Sequence, residues 1–375
     1  MNKRWEHVNL LLDRGVKEGA FPAAVLFVCR NDRVVFREAA GYSMIIPERK
    51  GITLNTCFDI ASLTKIVATT SAIMLLVQQN MLNIDDPVCK FFPGFKNGAM
   101  KRITIRHLLS HSAGLAAWKP YYKRIDEEER GSGVKLLRTP AVKEIFLRLL
   151  SEEKLVYTPG KGTRYSDLGF ILLGFIIERI TAEHLDEFCR KNIFNPLKMR
   201  ATFFVKLRRE NKKYKAGFAA TENCPWRGRV LAGEVHDENA WALGGVAGHA
   251  GLFSTGHDLA RFATEIINAC SERGSIFKSK TASEFFKKQN INRNSTWALG
   301  WDTPTKGVST SGKYFSAESI GHTGFTGTSL WIDLTRKIAV VLLTNRIHPD
   351  RNNAILKSFR PEIHDRVMEA LGYAE

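Results

Sequence analysis

None of the six cysteines in this 375-residue chain falls into a C-x-x-C pair; Cys29, Cys57, Cys89, Cys189, Cys224 and Cys270 are scattered. That excludes a cysteine zinc module and a disulfide framework, and it predicts reduced thiols in a reducing compartment. No apolar run reaches the roughly 20 residues of a membrane span. The longest, Leu168 to Ile177, stops at Glu178 and predicts a buried helix. Near the N-terminus, Leu10-Leu11-Leu12-Asp13-Arg14 is too short and too interrupted for a secretory h-region, so a cytoplasmic location is expected. The glycines of 244–251 do not fit G-x-G-x-x-G and lack a strand-to-helix setting, which argues against a dinucleotide site. A G-x-S-x-G elbow is also missing; Ser110-His111-Ser112-Ala113-Gly114 has serine where the first glycine belongs. Without internal repeats or low-complexity linkers, one composite α/β unit is expected over residues 1–375.

Acidic residues are also scarce, 38 against 55 basic, giving a net charge of +17. Such an excess favours contact with polyanions. Much of it lies in Lys206, Arg208, Arg209, Lys212, Lys213 and Lys215. No zinc-finger spacing, RNP-like aromatic pattern or basic heptad turns that charge into recognition, so a solvated loop and no nucleic-acid partner are expected. His107 and His111 stand at i,i+4, which on a helix would share a face and could hold a metal. No glutamate follows His107 to complete H-E-x-x-H.

What is present is Ser62-Leu63-Thr64-Lys65, at the start of the apolar run 66–77. On a helix, i and i+3 share a face, so the Lys65 amine can reach the Ser62 hydroxyl. A buried amine beside polar groups can lose its proton and activate that serine. The helix start also offers free N–H groups for an oxyanion. Ser-x-x-Lys recurs at Ser132/Lys135, Ser151/Lys154 and Ser275/Lys278, but there in charged, exposed surroundings. By itself the Ser62 pair reads sooner as a helix N-terminal serine with an outward-snorkelling lysine than as a catalytic pair.

Helical spacing covers residues 4–18, and residues 24–29 and 34–41 flank Asn31-Asp32-Arg33 as a hairpin. A second hairpin is read at 329–333 and 338–344. The two can pair in one antiparallel sheet with a helical middle packed against it. Thr139-Pro140 predicts a helix start before 141–150, and Thr255 with Asp258 a weak capping box. Tyr165-Ser166-Asp167 precedes an apolar helix, with Asp167 the expected N-cap, and His322-Thr323-Gly324-Phe325 enters a strand. The polar segment 233–239 reads equally as cleft wall or hydrogen-bonded loop and is left out of the catalytic set.

In this order, Ser62-x-x-Lys65, Tyr165-x-Asp167 and His322-Thr323-Gly324 resemble the serine β-lactamase and penicillin-binding-protein superfamily, in its class C-like, esterase and D-alanyl-D-alanine carboxypeptidase branch. Residues 103–115, 157–160 and 250–255 are also similar to that family, and the resemblance spans about 5–372. It implies an α/β (α+β) fold: an antiparallel sheet from both chain ends (about 1–60 and 235–375), flanked by helices, with a mostly helical part (about 61–234) inserted. It implies Ser62 as nucleophile, Lys65 as its base and Tyr165 as proton shuttle. The N–H groups of Ser62 and Phe325 would form the oxyanion hole, while Asp167, His322, Thr323 and Gly324 would bind substrate. No metal or organic cofactor is implied.

Two departures bear on substrate. Asp167 stands for the family's asparagine, and an ionised aspartate cannot donate to a substrate amide. His322 stands for lysine; a neutral imidazole is a poorer carboxylate clamp and implies pH dependence near neutrality. The expected activity is hydrolysis of an ester or a D-amino-acid amide, with a β-lactamase and a non-catalytic penicillin-binding receptor as alternatives. The sequence leaves oligomeric state open.

Overall fold

The computed structural model describes residues 3–207, 217–305, 307 and 309–373. The N-terminal helix α1 (Glu6–Lys17) leads into β1 (Ala23–Arg30) and β2 (Arg33–Met44), followed by short β3 (Lys50–Gly51) and β4 (Phe58–Asp59). A helical stretch follows: α2 (Ser71–Gln78), α3 (Ile105–Leu109), α4 (Tyr121–Ser132), α5 (Ala141–Ser151), α6 (Asp167–Thr181) and α7 (Leu185–Cys189). Then come β5 (Phe203–Phe204), the ribbon β6 (Asn223–Cys224) and β7 (Arg229–Val230), α8 (Glu238–Ala242), β8 (Leu252–Ser254), α9 (Gly256–Ala269) and α10 (Ser279–Phe286). The chain closes with β9 (Ile320–Thr323), β10 (Ser329–Asp333), β11 (Ile338–Thr344) and α11 (Leu356–Ala370).

The main sheet runs β3-β2-β1-β11-β10-β9, and its neighbours pair antiparallel. Both terminal hairpins therefore meet at the β1–β11 seam, Leu26 facing Leu342. Asn31 and Asp32 make the first hairpin turn with φ of 48° and 66°. Successive left-handed residues suit the twist of a two-residue connection, and Asn and Asp tolerate them best. β1 reads as an unbroken apolar run because both its faces are covered. Ala24, Leu26 and Val28 join the core under α1 and α11, whereas Val25, Phe27 and Cys29 join the larger core that continues into the helical region. Helix α9 lies on that second face, against β1, β10 and β11. A Cβ at Gly256 would stand 2.3 Å from the Phe27 ring, so glycine permits the approach. Burying Phe27 completely contributes about 1.5–3 kcal/mol.

Several local expectations change. α5 starts at Ala141 with Pro140 at the cap position, and the Thr139 hydroxyl donates back to Leu136 O. Thr255 does cap α9, accepting from Asp258 N, but the box is half made. The Asp258 carboxylate instead accepts from Ala201 N and the Thr202 hydroxyl. The cap of α6 is Ser166, not Asp167, which leaves the aspartate free. His107 and His111 do not share a helix face, because α3 ends at Leu109 and His111 has a left-handed φ of 54°. His107 Nδ1 accepts from Thr104 N as part of a capping box, so the i,i+4 metal argument fails. Of the basic run, Lys206 pairs with Asp186 and Glu187, and the part from Arg208 to Lys215 lies outside the described residues. No helix among the described residues is long and apolar enough to cross a membrane.

Candidate active site

The serine sits where a short strand turns sharply into a helix. β4 pairs with β8, and Ala61 just beyond it adopts φ 46°, an unusual value for a residue with a Cβ. Asp59 stabilises that turn by accepting from Ala61 N at 2.9 Å and from His236 N at 2.7 Å. From the far end of the chain, the hydroxyls of Thr326 and Thr328 donate to the carbonyls of Asp59 and Ile60. A Cβ on Gly324 would fall 2.1 Å from Thr328 Oγ1 and 2.7 Å from Ile60 O. The turn carrying His322-Thr323-Gly324 is thereby clamped to the backbone that presents Ser62.

Residues 65–70 wind as a π-helical turn before α2, and the Lys65 side chain is completely buried. The outward-snorkelling reading is thereby excluded. Its ammonium donates to Ser62 Oγ and to His249 O, each at 3.0 Å, and lies 2.7 Å from Asp167 Oδ1. That last contact is an ion pair rather than an aligned hydrogen bond, since Asp167 Oδ1 is buried without a well-directed donor. The Tyr165 hydroxyl donates to Ser62 Oγ at 2.7 Å. Ser62, Lys65, Tyr165 and Asp167 thus form one cluster, the grouping that the family resemblance implies. The N–H groups of Ser62 and Phe325 carry no hydrogen bond among the described residues.

The electrostatics differ from the expectation for a free amine. Burial pulls the Lys65 pKa down, but the Asp167 carboxylate and Tyr165 outweigh it, and the net value lies above that of an ordinary lysine. The resting amine is therefore charged. Burial raises Tyr165 and Lys65 lowers it, leaving the phenol at about 12 and neutral. His322 is pushed down to about 3 by burial and by Lys65, so it does not titrate near neutrality and the pH dependence expected from it is absent. Its Nδ1–H donates to Thr323 O at 2.8 Å, which fixes the lone pair on Nε2.

Sequence reasoning missed His111. Ser166 N donates to its Nδ1 at 3.1 Å, and its ring packs 4.7 Å from Tyr165 and 4.3 Å from Trp297. Its backbone carbonyl accepts from Arg164 N and the Tyr157 hydroxyl. This histidine therefore holds the loop that delivers Tyr165, a role hidden by its reading as a metal ligand with His107. The 233–239 segment proves to be both loop and wall. Asp237 caps α8, accepting from Ala240 N, and lines the cleft beside Ser62. That cleft encloses about 350 Å³, with Trp118, Tyr165, Asp167, Asp237 and Phe325 among its walls.

Ser62 lines a cleft, and its Oγ accepts from both Lys65 Nζ and the Tyr165 hydroxyl, an arrangement that fits a serine hydrolase. The chain belongs to the Beta-lactamase family, whose model matches residues 8–362. A protein of Salmonella typhi called a putative D-alanyl-D-alanine carboxypeptidase is 33% identical over 368 residues, covering 88% of this chain and 80% of its own. Among solved structures, EstCE1, described as a hydrolase with promiscuous acyltransferase activity, superposes with a TM-score of 0.72 at 22% identity, covering 96% of this chain and 98% of its own. The octameric penicillin-binding protein homologue from Pyrococcus abyssi gives 0.72 at 23% identity, covering 98% and 77%. These two show the shared fold.

Proposed function

We propose that this serine hydrolase works through a Ser62 acyl-enzyme and cleaves an ester or a D-amino-acid amide. The observation that carries the reading is the convergence of Lys65 Nζ and the Tyr165 hydroxyl on Ser62 Oγ, at 3.0 and 2.7 Å. In this reading, relaxing its pairing with Asp167 lets Lys65 release one proton to solvent water, the neutral amine then takes the Ser62 proton, and Tyr165 relays it to the leaving group. Ser62 Oγ bonds to the carbonyl carbon, the bond to the leaving oxygen or nitrogen breaks, and the serine proton ends on that atom. Water then adds to the acyl carbon, the serine ester breaks, and one water proton returns to Ser62 Oγ. The free N–H groups of Ser62 and Phe325 supply the oxyanion hole, and the β9 edge from His322 to Gly324 aligns the substrate.

The relative's carboxypeptidase name supports an amide substrate. A β-lactam or a free C-terminal carboxylate fits less well, because His322 is neutral and Asp167 offers no N–H. The test compares wild type with Ser62→Ala on a p-nitrophenyl ester, a chromogenic cephalosporin and a D-Ala-D-Ala peptide. Steady ester turnover that vanishes in Ser62→Ala is expected. Full activity retained in Ser62→Ala sinks the mechanism, and a labelling burst on Ser62 without turnover converts the protein into a penicillin-binding receptor.

A further inference from the structure

Behind the turn that carries Phe325, two arginines stand together without an acid. Arg360 lies on the inner face of α11 with Leu356, Phe359 and Ile363, and it keeps only 8% of its surface exposed. Its Nε is buried with no partner, and among the described residues the guanidinium has neither a hydrogen bond nor an ion pair. Burial and the charge of Arg346 lower its pKa to about 10, which still leaves it charged at neutral pH. The acids of its own helix are engaged elsewhere: Glu362 holds Arg14, Glu369 holds Arg366, and Asp365 accepts from Lys313 N.

Arg346, just past β11, comes to the same place. A Cβ built on Gly327 would stand 2.9 Å from Arg346 Cγ and 3.1 Å from Leu356 Cδ2, so the Arg346 stem packs beside the first turn of α11, one turn before Arg360. Its guanidinium lies 4.9 Å over the Phe325 ring, and Nη1 donates to the carbonyls of Arg351 and Asn353. Nε and Nη2 have no acceptor among the described residues, and no carboxylate there pairs with either arginine. Ser329, on the same face of β10 as Trp331 and so on the side that α11 covers, adds a buried hydroxyl with no partner. A charge taken out of water is costly unless acceptors meet it, and a second like charge beside it adds to the cost.

We propose that Arg346 and Arg360 together bind one small free oxyanion, of the phosphate or sulfate class, between the start of α11 and the turn 324–328. Such an ion brings the acceptor oxygens that the protein withholds, in a geometry that guanidinium forks match. Because Arg360 is so little exposed, a free ion suits the site and a phosphate on a larger molecule does not. The bound ion ties α11 to the turn whose Thr326 and Thr328 hydroxyls hold the backbone before Ser62, and it fixes the guanidinium on which the Phe325 ring rests.

The experiment titrates inorganic phosphate by calorimetry, and follows thermal unfolding in phosphate against chloride at equal ionic strength, in wild type, Ser62→Ala, Arg346→Met and Arg360→Met. Wild type and Ser62→Ala should each bind one phosphate per chain saturably, with sulfate competing. At a tenfold excess over Kd the thermal midpoint should rise by about 1–3 °C. Each arginine variant should lose about tenfold or more in affinity, the scale of a charge-assisted contact. In chloride, Arg360→Met should match or exceed the wild-type midpoint, because it removes a buried charge that has no partner. Absence of saturable binding in wild type, or phosphate stabilising wild type and Arg360→Met equally, overturns the proposal; the second result is what screening of the net charge alone would give. Glycerol 3-phosphate binding as tightly as phosphate overturns the assignment to a free ion. If both arginine variants fail to fold, the wild-type titration decides, and phosphate binding that sulfate does not displace overturns the proposal.

Discussion

Replacing Asp167 by asparagine removes the carboxylate that keeps Lys65 charged. The two charged atoms are 2.7 Å apart and the lysine side chain has no exposed surface. At an effective dielectric constant of about 20, that separation corresponds to about 6 kcal/mol of attraction. Asp167 is 18% exposed, so solvent screens part of this. Breaking a buried pair by removing one partner typically costs about 3–5 kcal/mol, and the lower end is expected here. The pH dependence gives the sharper test. In wild type the Lys65 pKa lies above its unfolded value. Its stabilisation is therefore fully present below the unfolded pKa of about 10.4 and is lost only as pH rises through the folded value. In Asp167→Asn burial dominates and the folded pKa drops below the unfolded one, reversing the sign. The variant should be about 3 kcal/mol less stable near pH 7, with the gap narrowing as pH approaches about 10. Urea unfolding across that range measures it. A gap that is absent, or that stays constant with pH, would refute this account of Lys65. On p-nitrophenyl acetate, the same substitution should move the rise of kcat/KM with pH to lower pH.

Other perturbations test the remaining parts of the site. Tyr165→Phe deletes the hydroxyl 2.7 Å from Ser62 Oγ, and kcat on the p-nitrophenyl ester should fall by about 10²–10⁴ while circular dichroism stays native. His322→Lys puts a cation where burial and Lys65 hold an imidazole neutral, so it should lower both activity and thermal midpoint rather than restore a family-like enzyme. Gly324→Ala places a methyl on Thr328 and Ile60 O; slower acylation, read by stopped flow, is expected to exceed any loss of Tm. Arg351→Met leaves Glu222 without its guanidinium. Glu222 is raised by burial but lowered more by His236 and Arg351, to about 2, so its stabilisation is present above its ordinary pKa and lost as pH falls towards 2. The stability gap between Arg351→Met and wild type should therefore be open at neutral pH and close in acid, which urea titrations will show.

The terminal hairpins were legible because their chemistry is local: apolar runs on either side of turn residues, with Asn31 and Asp32 suited to left-handed φ. The Ser62–Lys65 pair was legible for the same reason, as two residues one helical turn apart. What spacing could not supply was the charge on Lys65. That depends on Asp167, about a hundred residues away, which is free because Ser166 took the capping role. Asp237 was seen only within the polar segment 233–239, and its meeting with His249 was not, because a loop and α8 make it with no periodicity to announce it. His111 was read for a metal on the premise that its helix continued, whereas the left-handed turn at that residue redirects its ring towards Tyr165.

The β1–β11 seam also sets the timing of this protein's birth. The strand beginning at Ala23 pairs locally with β2 but finds its second partner only when residues 338–344 exist, and the Thr326 and Thr328 hydroxyls reach back across 267 and 268 residues of chain. Pairings so distant in sequence slow folding and leave early strands waiting. On the ribosome, the first hairpin and the helical region emerge long before the clamp that shapes the Ser62 turn. Until those strands exist, the Ser62 turn lacks the Thr326 and Thr328 hydrogen bonds and one edge of β1 stays unpaired.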